Sequence, residues 1–110
     1  MRKNNFIQII TTFERKKDAK LLANILLKKR VAVCIQIIEN IESYYWWKGK
    51  IEKGKEILLF IKTKEEMYKK VEKIIKENHP YKIPEIISFK IHKGSKEYLK
   101  WIKEEIGNND

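Results

Sequence analysis

In the first third of the chain the spacing of apolar residues changes from a pattern typical of a strand to one typical of a helix. The segment "FIQIITT", from Phe6 to Thr12, carries apolar and β-branched residues at both alternating positions, which is typical of a strand covered on both faces. From Glu14 to Arg30 the apolar residues instead recur every three or four positions, as on one side of a helix: Ala19, Leu22, Ala23 and Leu26. We therefore predict a buried first strand followed by an amphipathic helix.

The middle of the chain returns to alternation over an unusually long stretch. "VAVCIQII", from Val31 to Ile38, is followed by "EN" and then by "IESYYWW", and after a turn at Gly49 the segment "KIEKGKEILLFIKT" runs back. This pattern predicts a long antiparallel hairpin, because two alternating segments joined by a glycine-containing turn form paired strands. Gly54, inside the returning arm, indicates a bulge there or an irregular start to the regular pairing.

The last third of the chain predicts a helix, a strand and a helix. Thr63 followed three residues later by Glu66 has the spacing of a capping box, and an apolar stripe follows it. The helix should end before Pro80, since the residue before a proline avoids helical angles. "EIISFKI" is typical of a strand, and Ser95 is placed to cap a final short helix.

The order β-α-β-β-α-β plus a terminal helix predicts an α+β fold, a ferredoxin-like sandwich in a single domain over residues 1–110. Right-handed crossovers place both main helices on one face of a four-stranded antiparallel sheet. The other face would then expose apolar residues that the terminal helix covers only in part: Ile10, Ala32, Cys34, Ile38, Leu58 and Phe60. Some further surface must cover this face.

Four consecutive aromatic residues lie near the end of the predicted hairpin: Tyr44, Tyr45, Trp46 and Trp47. Neighbours in a strand point to opposite faces, so both sides of the hairpin carry rings beyond the reach of the two helices. The rings could fill a local core, pack against another copy of the chain, or stack on bases or a planar ligand. We favour packing between copies, because aromatic residues are enriched in interfaces, and predict a closed homo-oligomer.

The charge, the apolar runs and the cysteine content bear on which partners and which cellular location are expected. The net charge is +10, and the excess leans toward Glu14 to Arg30, where seven cations face two anions. Lys62 to Asn78 mixes six lysines with four glutamates, which indicates a solvated surface, so we expect no specific nucleic-acid partner. No apolar run approaches the roughly 20 residues needed to cross a bilayer, so we expect no membrane association. The lone Cys34 suits the reducing cytoplasm, which is the predicted location.

Four motifs together resemble one family. "SYYWWKGKIE", "LLFIKT", "HPYKIPEI" and "EYLKWI" are similar to segments of the CutA divalent-cation tolerance proteins, and the matching blocks run from Ile7 to Ile106. The resemblance implies a ferredoxin-like fold and a homotrimer in which strands of one subunit extend the sheet of the next. It also implies a cytoplasmic, non-enzymatic role in tolerance to copper and other divalent cations, with no required cofactor.

The resemblance also indicates metal ligands. His79 lies in the matching "HPY" motif and Cys34 at the family's second-strand cysteine, so both are candidate ligands for Cu²⁺ or another divalent cation. His79 could instead be held by hydrogen bonds to the loop, and Cys34 could be a small core residue. Some relatives carry a cysteine near the end of the first strand and a second histidine before "HPY", where this chain has Thr11 and Asn78. A copper site built on those positions is therefore absent or altered.

Further polar residues in the matching motifs could meet in a cleft between subunits. Glu85 could make a structural hydrogen bond or ion pair, line such a cleft, or be exposed to solvent. The candidate cleft residues are Lys50, Glu52, Lys62, Tyr81, Glu85 and Trp101.

Three other functions share this element order. A ligand-sensing trimer like the nitrogen-regulatory PII proteins is the main alternative, although the chain has no glycine-rich phosphate loop. An RNA-recognition domain would need an aromatic run in the third strand, where this chain has "KEILLFIKT". An enzyme would need a nucleophile turn or an evident acid-base pair, and the sequence contains neither.

Overall fold

The computed structural model describes residues 5–107, which form four strands and three α-helices. The elements follow the predicted order, with a short 3₁₀ turn at Glu65–Met67: β1 (Phe6–Phe13), α1 (Lys16–Lys28), β2 (Cys34–Trp47), β3 (Lys50–Lys64), α2 (Tyr68–Asn78), β4 (Ile87–Lys90) and α3 (Lys96–Glu105). The strand order is β2-β3-β1-β4, and every neighbouring pair is antiparallel. The predicted α+β, ferredoxin-like arrangement is confirmed.

One face of the sheet packs against α1 and α2 and forms the main core. The register pairs Ile9 with Ile61 and Thr11 with Leu59, so these four side chains point to the same side. They are completely buried beneath apolar positions of the two helices, which are Ala19, Leu22, Leu26, Val71 and Ile75. The apolar residues that recur every three or four positions in α1 and α2 are therefore the ones buried against the sheet.

The bulge in the hairpin lies in β2, and its predicted position at Gly54 is wrong. Gly54 pairs regularly with Ser43, whereas the register shifts between Ile38 and Ile41, where β2 has one extra residue relative to β3. Asn40 lies in this irregularity with a φ of 63°, a left-handed conformation that asparagine tolerates better than most residues. The extra residue reverses the alternation, so Tyr45 lies on the same sheet face as Ile38.

The predicted capping box at Thr63 and Glu66 is also wrong. Thr63 is the penultimate residue of β3, fully buried, and its hydroxyl donates a hydrogen bond to the Val31 carbonyl at 2.6 Å. The turn that follows begins at Glu65 without a side-chain cap. By contrast, α2 ends at Asn78, before Pro80, and Ser95 Oγ accepts the Tyr98 amide at 3.2 Å, so both of those predictions are confirmed.

Two predicted strands begin or end at different residues. β2 begins at Cys34 rather than Val31, because Val31 and Ala32 lie in the buried connection from α1. β4 is reduced to Ile87–Lys90, where it pairs with Ile7 to Ile10 of β1.

The second face of the sheet is covered only at one end. There α3 encloses a small apolar cluster built from Phe6, Ile102 and Ile106. Away from this helix Ile38, Ile87 and Phe89 are 41%, 44% and 53% exposed. We call this uncovered part, which also includes the half-buried Ile10, Leu58 and Phe60, the open face.

The hairpin of β2 and β3 extends well beyond the helices. Its strands have 14 and 15 residues, and the molecule measures 47 × 26 × 23 Å. All four consecutive aromatic residues are exposed on this extension, as predicted, with Trp46 exposed most at 71%.

Candidate functional site

A group of mainly polar side chains that interact with one another lies at the end of β1 and is the best candidate for a functional site. There the proline-containing loop after α2 meets the end of β1 and the hairpin, so residues of β1, β2, β3 and the loop come together. We call this group the Tyr81 cluster: Phe13, Ser43, Glu56, His79, Tyr81 and Glu85.

His79 is held at both ring nitrogens. Its Nδ1 accepts the Tyr81 amide at 3.1 Å, so the ring proton lies on Nε2, which donates to the Thr12 carbonyl at 2.6 Å. The ring also stacks on Phe13 with a centroid distance of 4.1 Å. Burial lowers the pKa of His79 below its usual value, against the opposing effect of the bond to Thr12. The neutral ring is therefore the form that this site stabilises.

Glu56 connects the hairpin to the loop. One carboxylate oxygen accepts the Ser43 hydroxyl at 2.7 Å, and the other accepts the Tyr81 hydroxyl at 2.9 Å. Burial, followed by the hydrogen bond to Glu56, raises the pKa of Tyr81 well above its usual value, so Tyr81 remains a donor at neutral pH. The bond from Tyr81 ties the hairpin to the loop, and the bond from Ser43 holds the Glu56 carboxylate within the hairpin.

Glu85 adds a second carboxylate beside Glu56. Its side chain is only partly buried and forms no hydrogen bond or ion pair with residues 5–107, so the structural bond considered for it is not present there. Partial burial, and then the charge of Glu56, raise the pKa of Glu85. The cluster thus presents carboxylate and phenol oxygens that would favour a cation or a hydrogen-bond donor.

Cys34 lies far from His79. Its partner across the hairpin is Lys62, which in turn opposes Gln8, whereas His79 bonds to Thr12 four residues further along β1, at least about 13 Å away. Cys34 is half-buried on the sheet face that α3 covers. Within residues 5–107, no group of three or more histidine, cysteine or acidic side chains is placed to hold a metal ion. The structure therefore keeps the two candidate metal ligands apart.

The six candidate cleft residues are spread over the chain rather than gathered at one place. Tyr81 and Glu85 share the neighbour Glu56, but Lys50 and Glu52 lie near the tip of the hairpin, and Lys62 lies roughly 40 Å from Lys50 along β3. Lys62 Nζ donates to Gln36 Oε1 at 2.6 Å. Trp101 lies on α3, beside a cavity of about 180 Å³ that is lined in part by Arg30 and Glu105.

Comparison with known proteins settles the family. The model of the CutA1 divalent ion tolerance protein family matches residues 7–105. The chain belongs to this family. A chloroplastic CutA 1 protein from Oryza sativa is 38% identical over 97 residues, which cover 88% of this chain and 55% of that protein. A CutA divalent-cation tolerance protein from Pyrococcus horikoshii is 38% identical over 99 residues, which cover 90% of this chain and 96% of that protein.

Solved structures of CutA1 proteins have the same fold. The Oryza sativa CutA1 crystal structure superposes with a TM-score of 0.91 at 36% identity, covering 94% of this chain and 95% of that one. The divalent cation tolerance protein of Thermus thermophilus gives a TM-score of 0.90 at 32% identity, covering 93% of this chain and 99% of that one. The helices within residues 5–107 are all too short or too polar to span a membrane.

Sequence reasoning missed Ser43, Glu56 and Phe13 in the Tyr81 cluster. One signal was available for Glu56, because it is a lone carboxylate immediately before the apolar run "ILLFI" of β3. Ser43 and Phe13 carried no comparable signal, since their roles depend on the bulge in β2 and on the path of the proline-containing loop.

Proposed function

We propose that this CutA1 family chain acts as a cytoplasmic homotrimer in tolerance to divalent cations, without catalysing a reaction. The observation that carries this proposal is the open face together with the aromatic hairpin. Exposed apolar area of this extent on a small sheet is typical of an interface, and the names of the matched relatives describe cation tolerance rather than a reaction.

The free edges of the sheet are compatible with a ring. β2 is the strand at one edge and β4 the strand at the other, so each subunit offers two different edges. Pairing of unlike edges is a heterologous contact, which produces a closed ring where the rotation between copies closes and an open filament where it does not. Three copies is the number that the family resemblance implies, and each hairpin would then lie across a neighbouring subunit.

Light scattering of the purified protein tests the assembly. The expected mass is about three times the 13.3 kDa of one chain, and it should persist on dilution. A compact single chain at all concentrations would contradict the proposal.

We further propose His79 and Cys34 as ligands for Cu²⁺ or another divalent cation, at separate sites. A metal at His79 must replace either the Tyr81 amide bond at Nδ1 or the Thr12 bond at Nε2, which weakens binding by the value of the lost bond. Within residues 5–107 the acidic side chains are not placed to complete a site with His79, so a metal bound there would take its remaining ligands from water or from another copy of the chain.

Titration calorimetry with Cu²⁺ and with Zn²⁺ on tag-free protein tests direct binding. The expected result is stoichiometric binding, of which His79→Gln removes the part at one site and Cys34→Ser the part at the other, while His92→Gln, which changes the second, exposed histidine, leaves both parts unchanged. Absence of heat of binding with both metals, or equal binding by all variants, would contradict the direct-binding form.

A small-ligand sensor of the PII type is the second candidate, and the Tyr81 cluster favours it. Its carboxylates and phenol lie at the base of the hairpin, where a neighbouring subunit could complete a cleft with Lys50, Glu52, Lys62 or Trp101. A thermal-shift screen of nucleotides and small metabolites tests this candidate. A stabilising compound should lose its effect in Glu56→Gln and retain it in Glu42→Gln, a control on the exposed part of β2.

A further inference from the structure

The outer surface of the helix layer has a charge composition unlike that of the rest of the chain. The whole chain has 25 lysines and arginines against 15 acidic residues. Among the exposed residues of α1 and α2, however, eight are lysines and one, Glu77, is acidic. Because α1 and α2 contact each other on one face of the sheet, these lysines share one surface. We call this surface the basic face.

Most of the positive charge on the basic face is not neutralised locally. Lys16 pairs with Glu39 at 2.9 Å, but the other seven exposed lysines of α1 and α2 form no ion pair within residues 5–107. The nearby half-buried acids are engaged elsewhere: Asp18 lies 3.7 Å from Arg15, and Glu72 accepts the Tyr68 hydroxyl at 3.3 Å. A group of unpaired cations on one surface creates a local positive potential that attracts a polyanion.

We propose that the basic face binds the phosphate backbone of nucleic acid without sequence preference. Lysine is a point charge that suits a phosphate, whereas recognition of bases relies mainly on bidentate groups such as arginine, and α1 and α2 contain no arginine. The basic face lies on the opposite side of the sheet from the open face, so assembly through the open face would leave it accessible.

An anionic membrane fits this surface less well. A helix that binds in a membrane interface inserts its own apolar side among the lipids. In α1 and α2 those sides are already buried in the core through Leu22, Leu26, Val71 and Ile75, and the large apolar side chains left exposed on the two helices are Leu21 and Leu27 of α1. Phosphate contacts need only the charged side chains, which this face provides.

Fluorescence anisotropy with a labelled mixed-sequence DNA duplex tests the proposal at about 50 mM and about 200 mM NaCl. We expect weak binding whose affinity falls steeply with salt and is the same for a scrambled duplex. The variant Lys20→Glu with Lys73→Glu should lose at least about tenfold in affinity and reduce the salt slope by about 2. The milder Lys20→Gln with Lys73→Gln should change both quantities in the same direction by less.

The control is Lys96→Glu with Lys103→Glu on α3, which changes the net charge by the same amount at exposed positions. At the higher salt it should retain affinity within about twofold, because distant charges are screened. Equal losses in the two glutamate variants would overturn the proposal, since they would indicate diffuse attraction to the total charge. Binding of anionic lipid vesicles but not of the duplex would overturn it as well.

Discussion

Two buried threonines on the helix-facing side of the sheet illustrate how much one hydroxyl can matter. Thr11 of β1 and Thr63 of β3 are both completely buried. Thr63 donates to the Val31 carbonyl, whereas the Thr11 hydroxyl has no hydrogen-bond partner among residues 5–107. An unpaired buried hydroxyl costs free energy that a bonded one does not. Identical residues in similar burial should therefore respond oppositely to loss of the hydroxyl.

The variant Thr11→Val should be more stable than the parent chain by about 1 kcal/mol, because it removes an unpaired hydroxyl at similar volume. The matched variant Thr63→Val should lose about 1 to 3 kcal/mol, because it leaves the buried Val31 carbonyl without its donor. Chemical denaturation of both variants measures the difference. If Thr11→Val lost as much stability as Thr63→Val, the Thr11 hydroxyl would have to be bonded.

The protonation of His79 makes the stability of the fold depend on pH. Its folded pKa lies below the unfolded value of 6.5, so below that pH the unfolded chain binds more protons and stability falls as pH falls. The nearby charges of Asp18 and Glu56 oppose this shift but do not reverse it. The neutral ring therefore stabilises the fold above the usual histidine pKa.

The expected outcome is that His79→Gln reduces the loss of melting temperature between about pH 7.5 and about pH 5.5. Its overall stability should also be lower, because glutamine cannot stack on Phe13, so the difference between the two pH values is the informative quantity. His92→Gln, at an exposed position, should behave as the parent does. An unchanged pH dependence in His79→Gln would contradict the assignment of this effect to His79.

At the scale of elements, the bulge in β2 decides which aromatic residues continue the open face. Without the extra residue, Tyr44 and Trp46 would lie on the same side as Ile38. With it, Tyr45 and Trp47 do, and Ser43 comes within hydrogen-bonding distance of Glu56. The left-handed conformation of Asn40 is therefore part of how the hairpin and the Tyr81 cluster are built.

Substitution of Asn40 tests the bulge. Asn40→Val should cost about 1 to 2 kcal/mol, because a β-branched residue tolerates a φ of 63° poorly, whereas Asn40→Gly should be close to neutral. Glu42→Val, two residues away on the same exposed strand, should have little effect. Thermal unfolding of the three variants gives the comparison, and an equal cost for Asn40→Val and Glu42→Val would argue against strain at the bulge.

Elements with a clear spacing of apolar residues could be predicted, while contacts between segments could not. The hairpin, the helices and the end of α2 before Pro80 follow from local pattern and backbone sterics. The capping box failed because Thr63 falls on a core position of β3, and tertiary burial outweighed a local motif. The Tyr81 cluster could be predicted only in part, since Glu56 meets Tyr81 through a chain separation of 25 residues.

At the scale of the whole molecule, the two sides of the sheet have different chemistry. The helix layer turns a basic face to solvent, while the open face and the hairpin present apolar and aromatic side chains. Such segregation suits a molecule that associates with its own copies through one side and leaves the other side to solvent or to a charged partner. The aromatic residues then become the place where assembly can be disrupted without disturbing the core.

Replacement of the two exposed hairpin rings that continue the open face, Tyr45→Ser with Trp47→Ser, should dissociate the proposed trimer. Each ring can bury about 150 to 250 Å², which is a large part of the roughly 800 Å² that each partner gives to a standard interface. The matched control is Leu21→Ser with Leu27→Ser, which removes two exposed apolar side chains from α1. Light scattering should show the aromatic variant near 13.3 kDa and the control at about three times that mass. If the aromatic variant kept the larger mass on dilution, the trimer would not depend on these aromatic side chains. They would then serve another partner, because an assembly that loses the main contacts between its copies dissociates on dilution.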